Sequence, residues 1–135
     1  MKIDGRCHCG SIAYEAEIDP EKVRICHCTD CQRLSATAFR VSVGTPEENF
    51  TLLSGAPKTY VKIGENGARR AQVFCPDCGS QIYATAADGG GPRVFNLRTG
   101  TIDQRDELKP RSQIWKRSAQ AWIGEIESLP ARDMQ

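Results

Sequence analysis

Residues 69–79, Arg69-Arg70-Ala71-Gln72-Val73-Phe74-Cys75-Pro76-Asp77-Cys78-Gly79, run a strand pattern directly into a turn bracketed by two thiols. Pro76 favours the turn, and Gly79 tolerates the backbone angles that often follow a metal-binding knuckle. Backbone amides in such a knuckle can point at sulfur. The stretch therefore predicts a β chain pinned at this point by a metal ion.

Working outward, the same half-buried alternation places Ile12, Tyr14, Ala16 and Ile18 on one face, and repeats at Phe39, Val41 and Val43. Residues 58–63, 69–75, 80–85 and 93–98 read as further strands, separated by Gly, Pro, Asn or Asp. Asp88-Gly89-Gly90-Gly91-Pro92 is a loop between two of them. Helix signals are few: Thr29 or Asp30 caps a short turn reaching Ala36, and Trp122, Ile126 and Leu129 stand at helical spacing before Pro130. The pattern predicts a mainly β, small antiparallel domain, as two sheets or a partly open barrel. No composition shift divides the chain, so one domain is expected over residues 1–135.

Charge narrows the partners. Eighteen Lys and Arg face 17 Asp and Glu, a balance without the electrostatic footprint of a nucleic-acid or anionic-membrane binder. No stretch has the ~20 apolar residues of a membrane span, and the N-terminus lacks a secretory apolar region. A cytoplasmic protein with small-molecule or protein partners is expected. Thiols stay reduced there, so clustered cysteines read as metal or redox groups rather than disulfides.

Seven cysteines form three clusters, Cys7-x-Cys9, Cys26-x-Cys28-x-x-Cys31 and Cys75-x-x-Cys78. They divide into four plus three. In an extended segment, Cys7 and Cys9 share one face while His8 turns away. With Cys75 and Cys78 they would complete a closed structural zinc site tying the first strand to the middle of the sheet. The competing reading of Cys75 and Cys78, a thioredoxin-like redox pair, lacks a surrounding βαβ pattern.

Cys26, Cys28 and Cys31 lie within six residues and can wrap one ion unaided. Three protein ligands leave zinc a vacant position. Thiolate-rich zinc is a poor activator of water and suits a sulfur ligand, which favours thiol chemistry over hydrolysis. The thiolate can attack an aldehyde carbonyl to form a C–S bond. Two other readings remain: a closed site completed by His27, His8 or a distant Asp, and reversible disulfides without metal.

The ordered set Gly5-Arg6-Cys7-His8-Cys9-Gly10, Cys26-His27-Cys28-Thr29-Asp30-Cys31-Gln32-Arg33 and Phe74-Cys75-Pro76-Asp77-Cys78-Gly79-Ser80 resembles the glutathione-dependent formaldehyde-activating enzyme family. The similarity runs from about residue 3 to Leu129. It implies a β-tent zinc fold with two zinc ions: a structural one on Cys7, Cys9, Cys75 and Cys78, and a catalytic one on Cys26, Cys28 and Cys31. The implied activity is carbon–sulfur lyase chemistry, condensing glutathione with formaldehyde to S-hydroxymethylglutathione. Two positions depart from the family pattern: Gln113 stands where many relatives carry His, and Ala36 where Gly is common.

The expected function is thus a zinc-dependent enzyme joining a small thiol, glutathione, to a small aldehyde. The alternative is a non-enzymatic zinc-binding module, or a glutathione-adduct carrier, with two structural zincs. Arg69, Arg70 and Arg98 suit glutathione carboxylates, against a plain reading as solvated strand charges. Gln32 and Arg33 are candidate donors to sulfur or substrate, again against solvation. Tyr14, Tyr60, Tyr83, Trp115 and Trp122 are assigned to packing. Exposed strand edges of such a fold can pair into a homodimer.

Overall fold

Ile12, Tyr14, Ala16 and Ile18 are all buried, as their alternation predicts. They line the inner face of β2 (Ala13–Glu17) and its flanks, in a computed structural model that describes residues 1–135. β2 is the centre of a three-stranded antiparallel sheet, between β1 (Lys2–Arg6) and β5 (Phe50–Ser54).

The other seven strands form a second sheet. They are β3 (Val23–Cys26), β4 (Arg40–Pro46), β6 (Lys58–Ile63), β7 (Arg69–Phe74), β8 (Gln81–Ala86), β9 (Val94–Arg98) and β10 (Ser112–Ile114). Their order is β10-β3-β4-β9-β8-β7-β6. All pairs are antiparallel except β10 on β3, a parallel exception to the expected pattern. One short helix, α1 (Thr29–Ser35), and several 3₁₀ turns complete the chain. No helix is long and apolar enough to cross a membrane.

One core joins the two sheets. Ile3 and Tyr14 from the small sheet pack with Val43, Ile82, Phe95 and Leu97 from the large one. Fully burying each Ile or Leu there contributes about 1.5–3 kcal/mol. Tyr83 stacks on Phe95 at 4.1 Å, and Phe50 meets both rings edge-on at 5.3 Å, which locks β5 against β8 and β9.

Two expectations are corrected. The segment at helical spacing coils as a 3₁₀ helix, Ala121–Ser128, ending just before Leu129, and Trp122, Ile126 and Leu129 are about half exposed. Among the aromatics assigned to packing, Tyr14 and Tyr83 belong to the core or pack against it, whereas Tyr60, Trp115 and Trp122 face outward. Residues 58–63 do form a strand, but β6 is an edge strand whose exposure does not alternate, and it covers little.

Candidate metal centres

The first centre lies where the two sheets meet. β1 ends at Arg6, and Cys7 and Cys9 sit in a tight turn closed by Gly10 N donating to Cys7 O at 3.1 Å. This corrects the extended geometry expected for the pair: a turn, not strand alternation, brings the two sulfurs to 3.5 Å. Cys75 and Cys78 form the predicted knuckle between β7 and β8, with Gly79 at φ 78° and its N–H donating to Cys75 O at 2.8 Å. His8 N reaches Ser80 Oγ at 3.0 Å and laces the turns together.

All four sulfurs lie within 4.8 Å of one another. A tetrahedron with Zn–S bonds of about 2.3 Å places its sulfurs about 3.8 Å apart, and Cys9 Sγ to Cys75 Sγ is 3.8 Å. Ile12 N donates to Cys7 Sγ at 3.3 Å. The Ser80 hydroxyl, with the Ser80 and Cys9 amides, holds the Cys78 thiol down to about 5, favouring the thiolate that a metal requires. The donor set fits a closed zinc site. It would fasten the small sheet to the large one, rather than one strand to the middle of a single sheet.

The second centre stands on the other face of the large sheet. β3 ends at Cys26, and Cys28 then caps α1, its Sγ accepting from Cys31 N at 3.2 Å. The sulfurs of Cys26, Cys28 and Cys31 lie within 4.8 Å of one another, with no His, Asp or Glu atom among them. His27 turns into the protein. Its Nε2 lies 2.8 Å from Gln113 Oε1 and its ring meets Phe39 edge-on. The hydrogen bond with Cys26, then the nearby Arg40 charge, draws Cys31 down to about 5 against the opposing effect of burial. The same bond and burial push Cys26 up. Three clustered thiols open to a cleft fit a zinc site with one position free of protein ligands.

That cleft is strongly basic. Residues opposite each other in adjacent strands share a face, and the register sets Arg40 beside Cys26, Ser42 between Arg24 and Arg98, and Lys62 beside Arg70. The sheet face turned away from the core is therefore a half-buried polar floor. Arg40 Nη1 donates to Gln72 Oε1 and Gln81 Oε1 at 3.1 and 3.0 Å. Arg98 donates to Ser42 Oγ at 2.6 Å and Gln72 Oε1 at 3.2 Å. Burial, then the like charge of Arg40, pushes the Arg98 guanidinium down to about 9, while the thiols of Cys31 and Cys26 act in the opposite sense.

Arg70 and Arg98, named from sequence, line this cleft; Arg69 does not, and pairs with Asp88 at the surface. Gln32 is neither solvated nor beside sulfur: its Nε2 donates to His27 O and Ser118 O at 2.8 and 2.9 Å. Arg33 is exposed. The sequence analysis did not single out Arg24 and Arg40, which stand in strands among apolar residues. Their signal was phase: Arg24 stands two residues before Cys26, on the same face.

Trp115 walls the cleft in a left-handed backbone conformation, φ 55°, with Arg117 over its ring at 4.8 Å. A bulky residue there carries strain of about 1–2 kcal/mol.

A profile of the glutathione-dependent formaldehyde-activating enzyme family matches residues 2–118. A protein of Schizosaccharomyces pombe named as an uncharacterized lyase is 28% identical over 99 residues, covering 69% of this chain. The match spans 64% of that relative's length. A crystal structure of a Rhodobacter sphaeroides structural-genomics protein shares the fold, with a TM-score of 0.60 at 19% identity, over 84% of this chain and 99% of that one.

Proposed function

The chain belongs to the glutathione-dependent formaldehyde-activating enzyme family, and from that premise we propose a zinc-dependent carbon–sulfur lyase that adds glutathione to a small aldehyde such as formaldehyde, or releases it. The observation carrying this reading is the cluster of three thiols without a fourth protein ligand, opening into a basic cleft. The other cluster, Cys7, Cys9, Cys75 and Cys78, would hold a structural zinc.

When bound at Cys26, Cys28 and Cys31, zinc supplies a position that keeps an incoming thiol in its thiolate form near neutral pH. In the net reaction the thiol S–H bond and the carbonyl π bond are lost, and a C–S and an O–H bond form. No external oxidant or reductant is needed. The protein's part is positional and electrostatic. The Cys31 amide fixes Cys28 Sγ, and Arg40 lends positive charge behind Cys31. Negative charge growing on the carbonyl oxygen would meet guanidinium groups of the cleft.

Zinc per chain, counted by elemental analysis while glutathione is titrated in, tests this reading. Two zincs are expected, one of them responsive to glutathione. Cys28→Ser should keep the fold, lose one zinc, and abolish both glutathione binding and any rate above the uncatalysed condensation in water. Unchanged glutathione affinity in that variant would remove the three-cysteine centre from the mechanism, and two inert zincs would favour a binding module.

A further inference from the structure

Five of the eight arginines outside the cleft find carboxylates, and the other three, Arg33, Arg105 and Arg132, are exposed at the surface. Arg6, Arg69, Arg93, Arg111 and Arg117 each pair with an Asp or Glu. The four arginines of the three-cysteine cleft, Arg24, Arg40, Arg70 and Arg98, pair with none. Their acceptors are neutral amides and a hydroxyl.

Burying like charges together without a counter-charge is costly, so the arrangement calls for an anion from outside. The cysteine centre does not supply enough: three thiolates on one Zn²⁺ carry a single net negative charge against four guanidiniums. Lys62 adds nothing, being neutralised by Asp30 at 2.7 Å.

Two of these side chains have free donors. Arg70 is half-buried and makes no side-chain hydrogen bond, and Arg24 spends only Nη2, on Asn96 Oδ1 at 2.8 Å. Arg40, by contrast, is only 7% exposed and committed to Gln72 and Gln81, and its Nε, like that of Arg98, is buried without a partner. The deep pair supplies fixed charge, and the shallower pair supplies donors in the forked geometry that carboxylates fit.

We propose that Arg24 and Arg70, backed by the fixed charge of Arg40 and Arg98, build a carboxylate subsite that seats a carboxylate-bearing ligand with its reacting group at the Cys26–Cys28–Cys31 centre. The carboxylate belongs either to the thiol itself or to the carbonyl compound it joins. The proposal rests on the thiol reading for the reacting group, but not for the anion.

The test is calorimetry on the zinc-loaded protein at low and raised salt. The probes are succinate, glutathione against its dimethyl ester, and glyoxylate against formaldehyde. Each is repeated on Arg70→Gln and Arg24→Gln, with zinc content and melting confirming that the variants fold. Carboxylate probes should outbind their uncharged counterparts, weaken as salt rises, and lose about tenfold or more in affinity in Arg70→Gln. Weakening by esterification assigns the carboxylate to the thiol, and tight glyoxylate binding with an indifferent ester assigns it to the carbonyl partner. If no carboxylate probe outbinds its neutral counterpart, or if both variants bind as the wild type does, the subsite is overturned. Succinate held by the arginines while glutathione leaves the zinc undisturbed would keep the subsite and discard the thiol reading.

Discussion

Ala36 ends α1 in a left-handed conformation, φ 55°, with its N–H donating to Arg33 O. A Cβ in that region is penalised, which is why glycine is the usual residue at such a helix end. Ala36→Gly should raise stability by about 0.5–1 kcal/mol, the relief of strain exceeding the entropy glycine adds to the unfolded chain; a denaturant midpoint that does not rise would contradict this. Gln113 is explained at the same scale. It supplies the acceptor at 2.8 Å for buried His27 Nε2, so the residue noted from sequence only as a departure from the resembled pattern ties down a buried ring beside the centre. Gly5 is required by close approach, since a Cβ there would stand 2.1 Å from the Tyr14 ring.

Among the elements, α1 is seven residues long and depends on side chains rather than on length for its place. Gln32 is its main tie. It bridges His27 O to Ser118 O, and its Oε1 accepts from Gln120 Nε2 at 2.8 Å. Gln32→Ala should leave the two sheets intact but speed amide exchange across residues 114–128, at a cost of about 1–2 kcal/mol. Exchange confined to the wild-type rate would show that the segment is held by other contacts. This role was not legible in the sequence, because Ser118 and Gln120 stand 86 and 88 residues away and no local pattern links them to Gln32. The strands were far more legible: the alternating runs at 12–18, 58–63, 80–85 and 93–98 coincide with or overlap strands. β1, β3, β5 and β10 were not among those runs; β5 shows no alternating face, its last four residues all being exposed, and β10 is only three residues long.

For the molecule as a whole, the four-cysteine centre joins turns from both sheets across 66 residues of chain between Cys9 and Cys75. Binding energy of a metal at such a site is folding energy. Cys78→Ser, or chelation of the wild type, should therefore remove one zinc and lower stability by several kcal/mol, followed by melting temperature and zinc content together. A variant that melts like the wild type with full zinc would refute a structural role. Sequence alone determined the mainly β class and the grouping of seven cysteines into four and three, since strand period and ligand spacing are local properties that a chain carries before it folds. It did not reveal that Cys7 and Cys9 share a turn, that a polar sheet face becomes a buried floor, or that Arg24, Arg40, Arg70 and Arg98 converge beside three thiols. Those were decided by strand order and register, because only the pairing of distant strands sets which alternate face is covered and which charges become neighbours.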